Sequence, residues 1–264
     1  MARFCTLFSG SSGNSYYIGS EKAGILVDAG RTAKQLDAML EHCGINIEAI
    51  QGIFVTHEHS DHVKGLRVFA SRHHLPVFTS AGTLSALERM NCLNQKYDAS
   101  VIESNGLECA GMFIRPFRTS HDSAESVGYR IETYDDRKIA VSTDLGYLSD
   151  DVRHELTGMD MIVLESNHDV GMLQNGPYPY PLKRRILSNT GHLSNTDCAA
   201  ELCEFAQNGT TRFVLAHLSS ENNTPELAYQ TSLCSLTLSG FKQGVDFELY
   251  VAPKENREGK LIIF

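Results

Sequence analysis

The sequence has no apolar run long enough to cross a bilayer, which argues against an integral membrane protein. Its first stretch, MARFCTLFSG, lacks the extended apolar core and small-residue cleavage site of a secretory signal. Both absences predict a cytoplasmic protein that does not bind membranes. A length of 264 residues, 42% hydrophobic and 21% charged, is typical of a globular chain with one large domain or two small ones.

Cysteine pairs of the CxxC type are absent as well. The seven cysteines, an odd number, are scattered along the chain, so no disulfide framework is predicted. No zinc-ribbon spacing is present either. Any bound metal must therefore be held mainly by histidines and carboxylates.

The chain also lacks an excess of basic residues. A formal net charge of −9 argues against a broad electrostatic grip on nucleic acid. Bound divalent ions would add positive charge that this sum omits, and Lys183–Arg184–Arg185 is a local group that can meet phosphate. A basic triplet of this kind is more often a solvated surface than a phosphate site.

No long linker, low-complexity tract or internal repeat divides the chain, so a single domain over residues 1–264 is predicted. Helix signals follow Thr32, the N-cap of TAKQLDAMLEHCG, and Ser60, the N-cap of SDHVKGLRVFASRHH. Strand-rich blocks and helices occur in both halves. This pattern predicts an α/β (α+β) fold, and it leaves open two sheets packed face to face with helices outside or one doubly wound sheet.

The stretch THEHSDHVKG, residues 56–65, follows the apolar run Ile53–Val55 and is rich in metal-binding side chains. His57 and His59 are two residues apart, so in an extended chain both imidazoles point to the same side. Asp61 and His62 lie where the next helix begins. The motif therefore suggests two adjacent metal positions, each needing more ligands, because a catalytic site uses about three protein groups plus water.

Three further metal-binding residues each follow a predicted strand. His121 follows Met112–Thr119, Asp144 follows Lys138–Ser142, and His217 follows Phe213–Ala216, the end of a strand predicted over Arg212–Ala216. A further strand is predicted over Met161–Glu165. Alone, such a histidine is usually a surface or hydrogen-bonded residue, and such an aspartate is usually a turn residue. Together with HxHxDH, the three predict a cleft at strand ends that collects metal ligands.

These motifs, in this order, resemble the metallo-β-lactamase superfamily. They are Asp28 in LVDAG, the four residues His57, His59, Asp61 and His62, then His121 in TSHD, Asp144 in STDLG and His217 in LAHLS. The resemblance implies a four-layered αββα sandwich that holds two divalent ions, Zn or Mn. It places His57, His59 and His121 on one ion, Asp61, His62 and His217 on the other, and Asp144 between them. Asp28 would support the site, and Glu58 would face the second shell or solvent.

The superfamily includes several chemistries, so the fold alone does not define the reaction. Flavodiiron oxygen reductases typically have a carboxylate where this chain has His59. The common dizinc β-lactamases lack a bridging carboxylate such as Asp144 and often use cysteine. Glyoxalase II enzymes and lactonases share nearly all seven ligands, so hydrolysis of a small thioester or lactone is the alternative.

Two motifs favour a phosphodiesterase: TGHLSN, residues 190–195, and LESNHD, residues 164–169. Their pairing resembles superfamily phosphodiesterases such as tRNase Z, which implies that His192 acts as general acid and Glu165 orients it. The alternative for His192 is a capping-loop histidine. Ser194 and Asn195, which open the next helix, are predicted to offer hydroxyl and N–H groups to phosphate.

Further stretches, SGSSGNS, TSHDSAESVGYRI and LAHLSSENNTPELA among them, look like the YycJ/WalJ-type branch, which is associated with bacterial DNA 5′-exonuclease activity and mismatch-type repair. The sequence thus predicts a dinuclear metal-dependent phosphodiesterase, a DNA exonuclease that uses a metal-activated water, with Asp61 as a candidate proton acceptor. His192, outside the ligand set, favours an enzyme over a metal-binding scaffold. The sequence leaves open whether the substrate is DNA or RNA and whether cleavage is exo- or endonucleolytic. It also leaves open the polarity of cleavage and the oligomeric state.

Overall fold

A computed structural model describes residues 1–264, and the chain forms two compact units. The first unit comprises Met1–Phe117, Ser123–Arg137 and Pro253–Phe264, and the second comprises Arg118–Asp122 and Lys138–Ala252. The single domain expected from the sequence stays a prediction, because such units also occur within one domain. None of the helices combines the length and apolar character needed to cross a membrane. All seven cysteines are free thiols.

A seven-stranded sheet organises the first unit, in the order β14-β1-β2-β3-β4-β5-β6. Its strands are β1 (Arg3–Phe8), β2 (Ser15–Gly19), β3 (Gly24–Val27), β4 (Ile50–Phe54), β5 (Val77–Thr79), β6 (Ala99–Val101) and β14 (Ile262–Ile263). Strand β3 pairs in parallel with β4, and Val27 lies opposite Phe54. The residues that follow these two strands therefore meet at one edge of the sheet. The same unit holds the antiparallel hairpin of β7 (Leu107–Cys109) and β8 (Met112–Arg118), with β9 (Val127–Glu132) beside β8.

The helices of the first unit are α1 (Ala33–His42), α2 (Ser60–Val63), α3 (Leu66–His73) and α4 (Ala81–Arg89). Helix α1 begins as predicted, because Thr32 and Gln35 form a reciprocal capping box. Its apolar stripe, Leu36, Met39 and Leu40, is buried in the core of the unit.

The single helix predicted from Ser60 is wrong. The chain forms two helices, α2 and α3, and the N-cap of α2 is His59. The break lies at Gly65, whose N–H donates to the Ala29 carbonyl (2.9 Å) and not to the preceding turn. A Cβ at Gly65 would lie 2.0 Å from the Arg31 carbonyl oxygen, so this close approach requires glycine.

Four parallel strands form the sheet of the second unit, in the order β10-β11-β12-β13. They are β10 (Lys138–Ser142), β11 (Met161–Glu165), β12 (Arg212–Ala216) and β13 (Glu248–Val251), and the first three have the predicted bounds. Their nearly continuous apolar runs are typical of parallel strands covered on both faces. The connections contain α5 (Asp150–Leu156), α6 (Val170–Asn175), α7 (Tyr180–Ile186), α8 (Asn195–Gln207) and α9 (Pro225–Leu238). Because the strands are parallel, their carboxyl ends line one edge, where ligands bind in open α/β sheets.

Candidate metal centre

The histidine motif of the first unit forms a compact cluster. The ring centroid of His57 lies 4.6 Å from that of His59 and 4.1 Å from that of His62. An Asp61 carboxylate oxygen lies 3.6 Å from Nε2 of His62. His57 and His62 are buried, whereas His59 and Asp61 are half-buried. The structure thus brings together the four ligands predicted in this motif.

Asp28 supports the cluster from beneath and is fully buried. Its carboxylate accepts hydrogen bonds from the Thr56 amide (2.8 Å), the Thr56 hydroxyl (2.9 Å) and Nδ1 of His62 (2.7 Å). Burial raises the pKa of Asp28, although the His62 contact acts in the opposite direction. A carboxylate bound to Nδ1 fixes the tautomer of a histidine that binds metal through Nε2, so this geometry agrees with the supporting role implied for Asp28.

Asn14 and Gly30 also hold the motif, a role that was not predicted for either residue. The Asn14 amide donates to the Asp61 carbonyl (2.7 Å), and its side-chain Nδ2 lies 3.1 Å from Nε2 of His62. Gly30 donates to the Asn14 carbonyl at 2.9 Å, and a Cβ at Gly30 would lie 1.7 Å from the Asp61 carbonyl oxygen. The available signal was the pair of stretches SGSSGNS and LVDAG.

Glu58 does not join the cluster. Its Oε1 accepts a hydrogen bond from the Ala124 amide (2.7 Å), so this side chain holds a neighbouring loop of the same unit.

The second unit gathers donors at the carboxyl edge of its parallel sheet. Asp144 follows β10, Glu165 ends β11 and His217 follows β12; Glu165 lies opposite Ala216 in the register. One donor atom from each of Asp144, Glu165, His192 and His217 lies within 4.8 Å of the others. Asp144 and His217 adopt left-handed φ angles of 58° and 54°, an uncommon conformation for residues other than glycine that is concentrated at functional sites.

Glu165 connects two histidines of this group and is fully buried. Its Oε1 accepts from Nδ1 of His192 (2.9 Å) and Nδ1 of His217 (2.7 Å), while Oε2 accepts from the amides of Leu145 (3.1 Å) and Leu193 (3.0 Å). Burial acts to raise the pKa of Glu165, but the charge of His192 and both histidine hydrogen bonds outweigh it, and the pKa falls to about 2. The predicted contact with His192 is present, and the contact with His217 was not predicted.

The carboxylates around His192 favour its protonated form. Burial acts to lower its pKa, but the Glu165 carboxylate and the charge of Asp144 outweigh it, so the pKa lies above its ordinary value. The His121 ring lies 5.2 Å from the His192 ring. Nδ1 of His121 lies 3.1 Å from the Gly191 carbonyl oxygen, and its Nε2 lies 3.5 Å from Asp122 Oδ1 and 3.9 Å from Asp144 Oδ1.

Ser194 and Asn195 make internal hydrogen bonds. The Ser194 hydroxyl caps α8, because it accepts from the Asp197 amide (3.1 Å) and donates to the Asp197 carboxylate (2.6 Å). Asn195 is buried and pairs with Ser166 (2.7 Å) and Asn223 (2.9 Å). These contacts give both residues a structural role, and the predicted phosphate contacts stay predictions.

The donor atoms fit a divalent metal. His62, His121 and His217 each use Nδ1 for a carboxylate or carbonyl oxygen, the usual arrangement when Nε2 binds the metal. Imidazole combined with carboxylate suits zinc or manganese. The predicted cysteine-free donor set is therefore chemically suitable for such ions.

Similarity to known sequences and structures places the chain in a family. The β-lactamase superfamily domain matches residues 24–218. Exodeoxyribonuclease YycJ of Bacillus anthracis is 41% identical over 94% of each chain, and exodeoxyribonuclease WalJ of Streptococcus pneumoniae is 37% identical over 94% of this chain and 93% of its own. The metallo-β-lactamase fold protein YhfI of Bacillus subtilis, at 15% identity, matches with a TM-score of 0.73 over 99% of this chain and 98% of its own.

The structural match confirms the predicted fold class, a mixed α/β fold with two large β-sheets and flanking helices. The sequence identities confirm the resemblance to the YycJ/WalJ-type branch. The chain therefore belongs to the metallo-β-lactamase superfamily of metal-dependent hydrolases.

Proposed function

We propose that this protein is a dinuclear metal-dependent phosphodiesterase that acts as a DNA exonuclease. The observation that carries the proposal is the hydrogen bond between Glu165 and His192 (2.9 Å), within a buried donor group. Two relatives, 41% and 37% identical to this chain, are named exodeoxyribonucleases, and these names support DNA as the substrate. A cytoplasmic location and a role in DNA repair, both expected from the sequence, are part of this proposal.

The proposed ligands are those implied by the sequence. One ion would be held by His57, His59 and His121, the other by Asp61, His62 and His217, with Asp144 as the bridging carboxylate. When bound, two divalent ions supply a water of lowered pKa and neutralise charge on the phosphoryl oxygens. Asp61, half-buried beside His62, is the proposed acceptor of the proton from the attacking water.

His192 is the proposed proton donor to the leaving oxygen. Its Nδ1 is bonded to Glu165, so the proton it transfers lies on Nε2. The Glu165 carboxylate favours the protonated imidazole, which is the form that a general acid requires. Positioned acids of this kind contribute about 10²- to 10⁴-fold to a rate. A thioester or lactone leaving group needs less help from an acid than an alkoxide does, so this pair favours the phosphodiester.

The test is His192→Ala, with His154→Ala as a matched control because His154 is an exposed histidine on α5. Metal content and turnover of labelled DNA ends are measured for both variants in zinc and in manganese. We expect His192→Ala to keep two ions per chain and to lose about 10²-fold or more in kcat, with the control unchanged. Loss of metal would make His192 a ligand. Full activity on DNA, or a wild-type preference for thioesters or lactones, would contradict the proposed function.

A further inference from the structure

The basic triplet on α7 divides into three different environments. The Lys183 ammonium donates to the carbonyls of Gln174 (2.8 Å) and Gly176 (2.7 Å). Arg185 forms an ion pair with Asp122, with Nη2 2.8 Å from the carboxylate. The exposed Arg184 guanidinium lies 6.0 Å from the ring centroid of Tyr180. Lys183 and Arg185 thus hold the local fold, and Arg184 presents its charge to solvent beside an aromatic ring.

Helix α7 ends against the loop that carries the proposed general acid. The His192 amide donates to the Ile186 carbonyl at 2.9 Å. A Cβ at Gly191 would lie 2.2 Å from the Arg185 carbonyl oxygen, so the loop meets the helix backbone directly. At 1.5 Å per residue, Tyr180 lies about 9 Å along the helix from Ile186. That distance equals two to three nucleotide steps of about 3.4 Å.

Tyr180 is unusually open for a large aromatic side chain, with 72% of its surface exposed. A single exposed aromatic needs no explanation. Here, however, a guanidinium lies over the ring, and both residues are on the helix that supports His192. An exposed ring beside a cation is the combination with which proteins bind single nucleic-acid strands, because every base has a face that stacks on an aromatic ring.

We propose that Tyr180 and Arg184 form a stacking platform for the unpaired DNA strand next to the scissile phosphodiester. Tyr180 stacks on a base two to three nucleotides from the reacting phosphate, and Arg184 contacts the adjoining backbone phosphate. A base inside a duplex already stacks on its neighbours, so the platform favours single-stranded ends. This inference depends on the proposed function and adds that the preferred DNA end is single-stranded.

The experiment compares Tyr180→Ala, Tyr180→Phe and Arg184→Ala on a single-stranded oligonucleotide, a blunt duplex and bis-p-nitrophenyl phosphate. We expect Tyr180→Ala to raise KM for the single strand about tenfold, within the range known for base–aromatic stacking, and Tyr180→Phe to keep the wild-type KM. Arg184→Ala makes the negative slope of log(kcat/KM) against log[salt] shallower by about 0.7, the value for one contact to a single strand. All three variants keep wild-type turnover of bis-p-nitrophenyl phosphate, which has no neighbouring nucleotide.

Tyr134→Ala and Arg89→Ala serve as controls, because both side chains are exposed and lie in the first unit. An unchanged KM for Tyr180→Ala on an active single-stranded substrate would overturn the platform and leave the proposed function intact. Equal losses on the oligonucleotide and on bis-p-nitrophenyl phosphate would also overturn it, because they indicate a damaged metal centre. A wild type inactive on every DNA substrate would overturn the proposed function and the platform together.

Discussion

Replacing Glu165 by glutamine tests whether one buried carboxylate organises the donor group of the second unit. The carboxylate accepts four hydrogen bonds, two from imidazoles and two from the amides of Leu145 and Leu193. Glutamine keeps one acceptor oxygen and places an NH₂ group at the other position. Whichever way the glutamine amide is oriented, its NH₂ group faces two buried N–H donors, so two of the four hydrogen bonds are lost.

The expected loss of stability follows from that count. Each hydrogen bond to a charged acceptor is worth about 1.5–3 kcal/mol, so the free energy of unfolding falls by about 3–6 kcal/mol. The pKa supports this range: a carboxyl group whose ordinary value of 4.5 is lowered to about 2 contributes about 3 kcal/mol at neutral pH. That contribution is complete above about pH 4.5 and is lost as the pH falls toward 2. Because a domain has about 5–15 kcal/mol of stability, the variant should still fold.

Urea unfolding of the metal-free protein, in chelator at pH 7, measures the effect. Glu221→Gln is the control, because Glu221 is exposed, and surface substitutions of this kind change stability by about 0.5 kcal/mol or less. An imidazole can accept a hydrogen bond from the new NH₂ group only if its own proton moves from Nδ1 to Nε2. Because Nε2 is the atom proposed to bind the metal, metal affinity should also fall. A Glu165→Gln variant within about 1 kcal/mol of wild type, a normal contribution for one ordinary hydrogen bond, would refute the reasoning.

Three further outcomes are expected. Asp28→Asn weakens the buried contact that fixes His62, so metal affinity measured by competition with a chelator should fall about 10- to 100-fold; unchanged affinity would remove Asp28 from the support of the site. Gly30→Ala places a methyl group against the Asp61 carbonyl, so thermal unfolding should show that the free energy of unfolding falls by more than about 2 kcal/mol. Gly209→Ala is the control, because no atom lies near its new Cβ, and its smaller loss reflects only the positive φ. Chelation should abolish hydrolysis, and zinc or manganese at 100 times Kd should restore it and add about 2.7 kcal/mol of stability for each ion bound. A chelator-resistant activity would contradict a metal-dependent site.

Local sequence patterns predicted the elements that carry most candidate donors. Strands β10, β11 and β12 have the predicted bounds because their apolar runs are short, buried and followed by polar residues. Thr32 was predictable as an N-cap because its capping box involves residues three apart. The positions of Asp144 and His217 after their strands follow from the same pattern.

Features that depend on distant residues were not predictable. Helices α2 and α3 separate at Gly65 because the Arg31 carbonyl packs against it, and no periodicity within the segment records that contact. The hydrogen bonds of the Asn195 side chain with Ser166 and Asn223 join segments that are far apart in the sequence. The different partners of the basic triplet on α7 likewise come from residues outside the triplet.

The two donor groups differ in how far apart their members lie in the chain, and this difference determines when each group forms during folding. The first unit takes its donors from the six residues His57–His62, which lie at one strand end and on one short helix. The second unit needs Asp144, Glu165 and His217, which become neighbours only when β10, β11 and β12 have paired in parallel. Long-range parallel pairing forms slowly. We therefore expect a refolding or newly synthesised chain to complete the histidine cluster before the sheet-edge donors. Metal uptake, which in the proposed ligand sets needs donors of both groups, should follow the pairing of β10, β11 and β12.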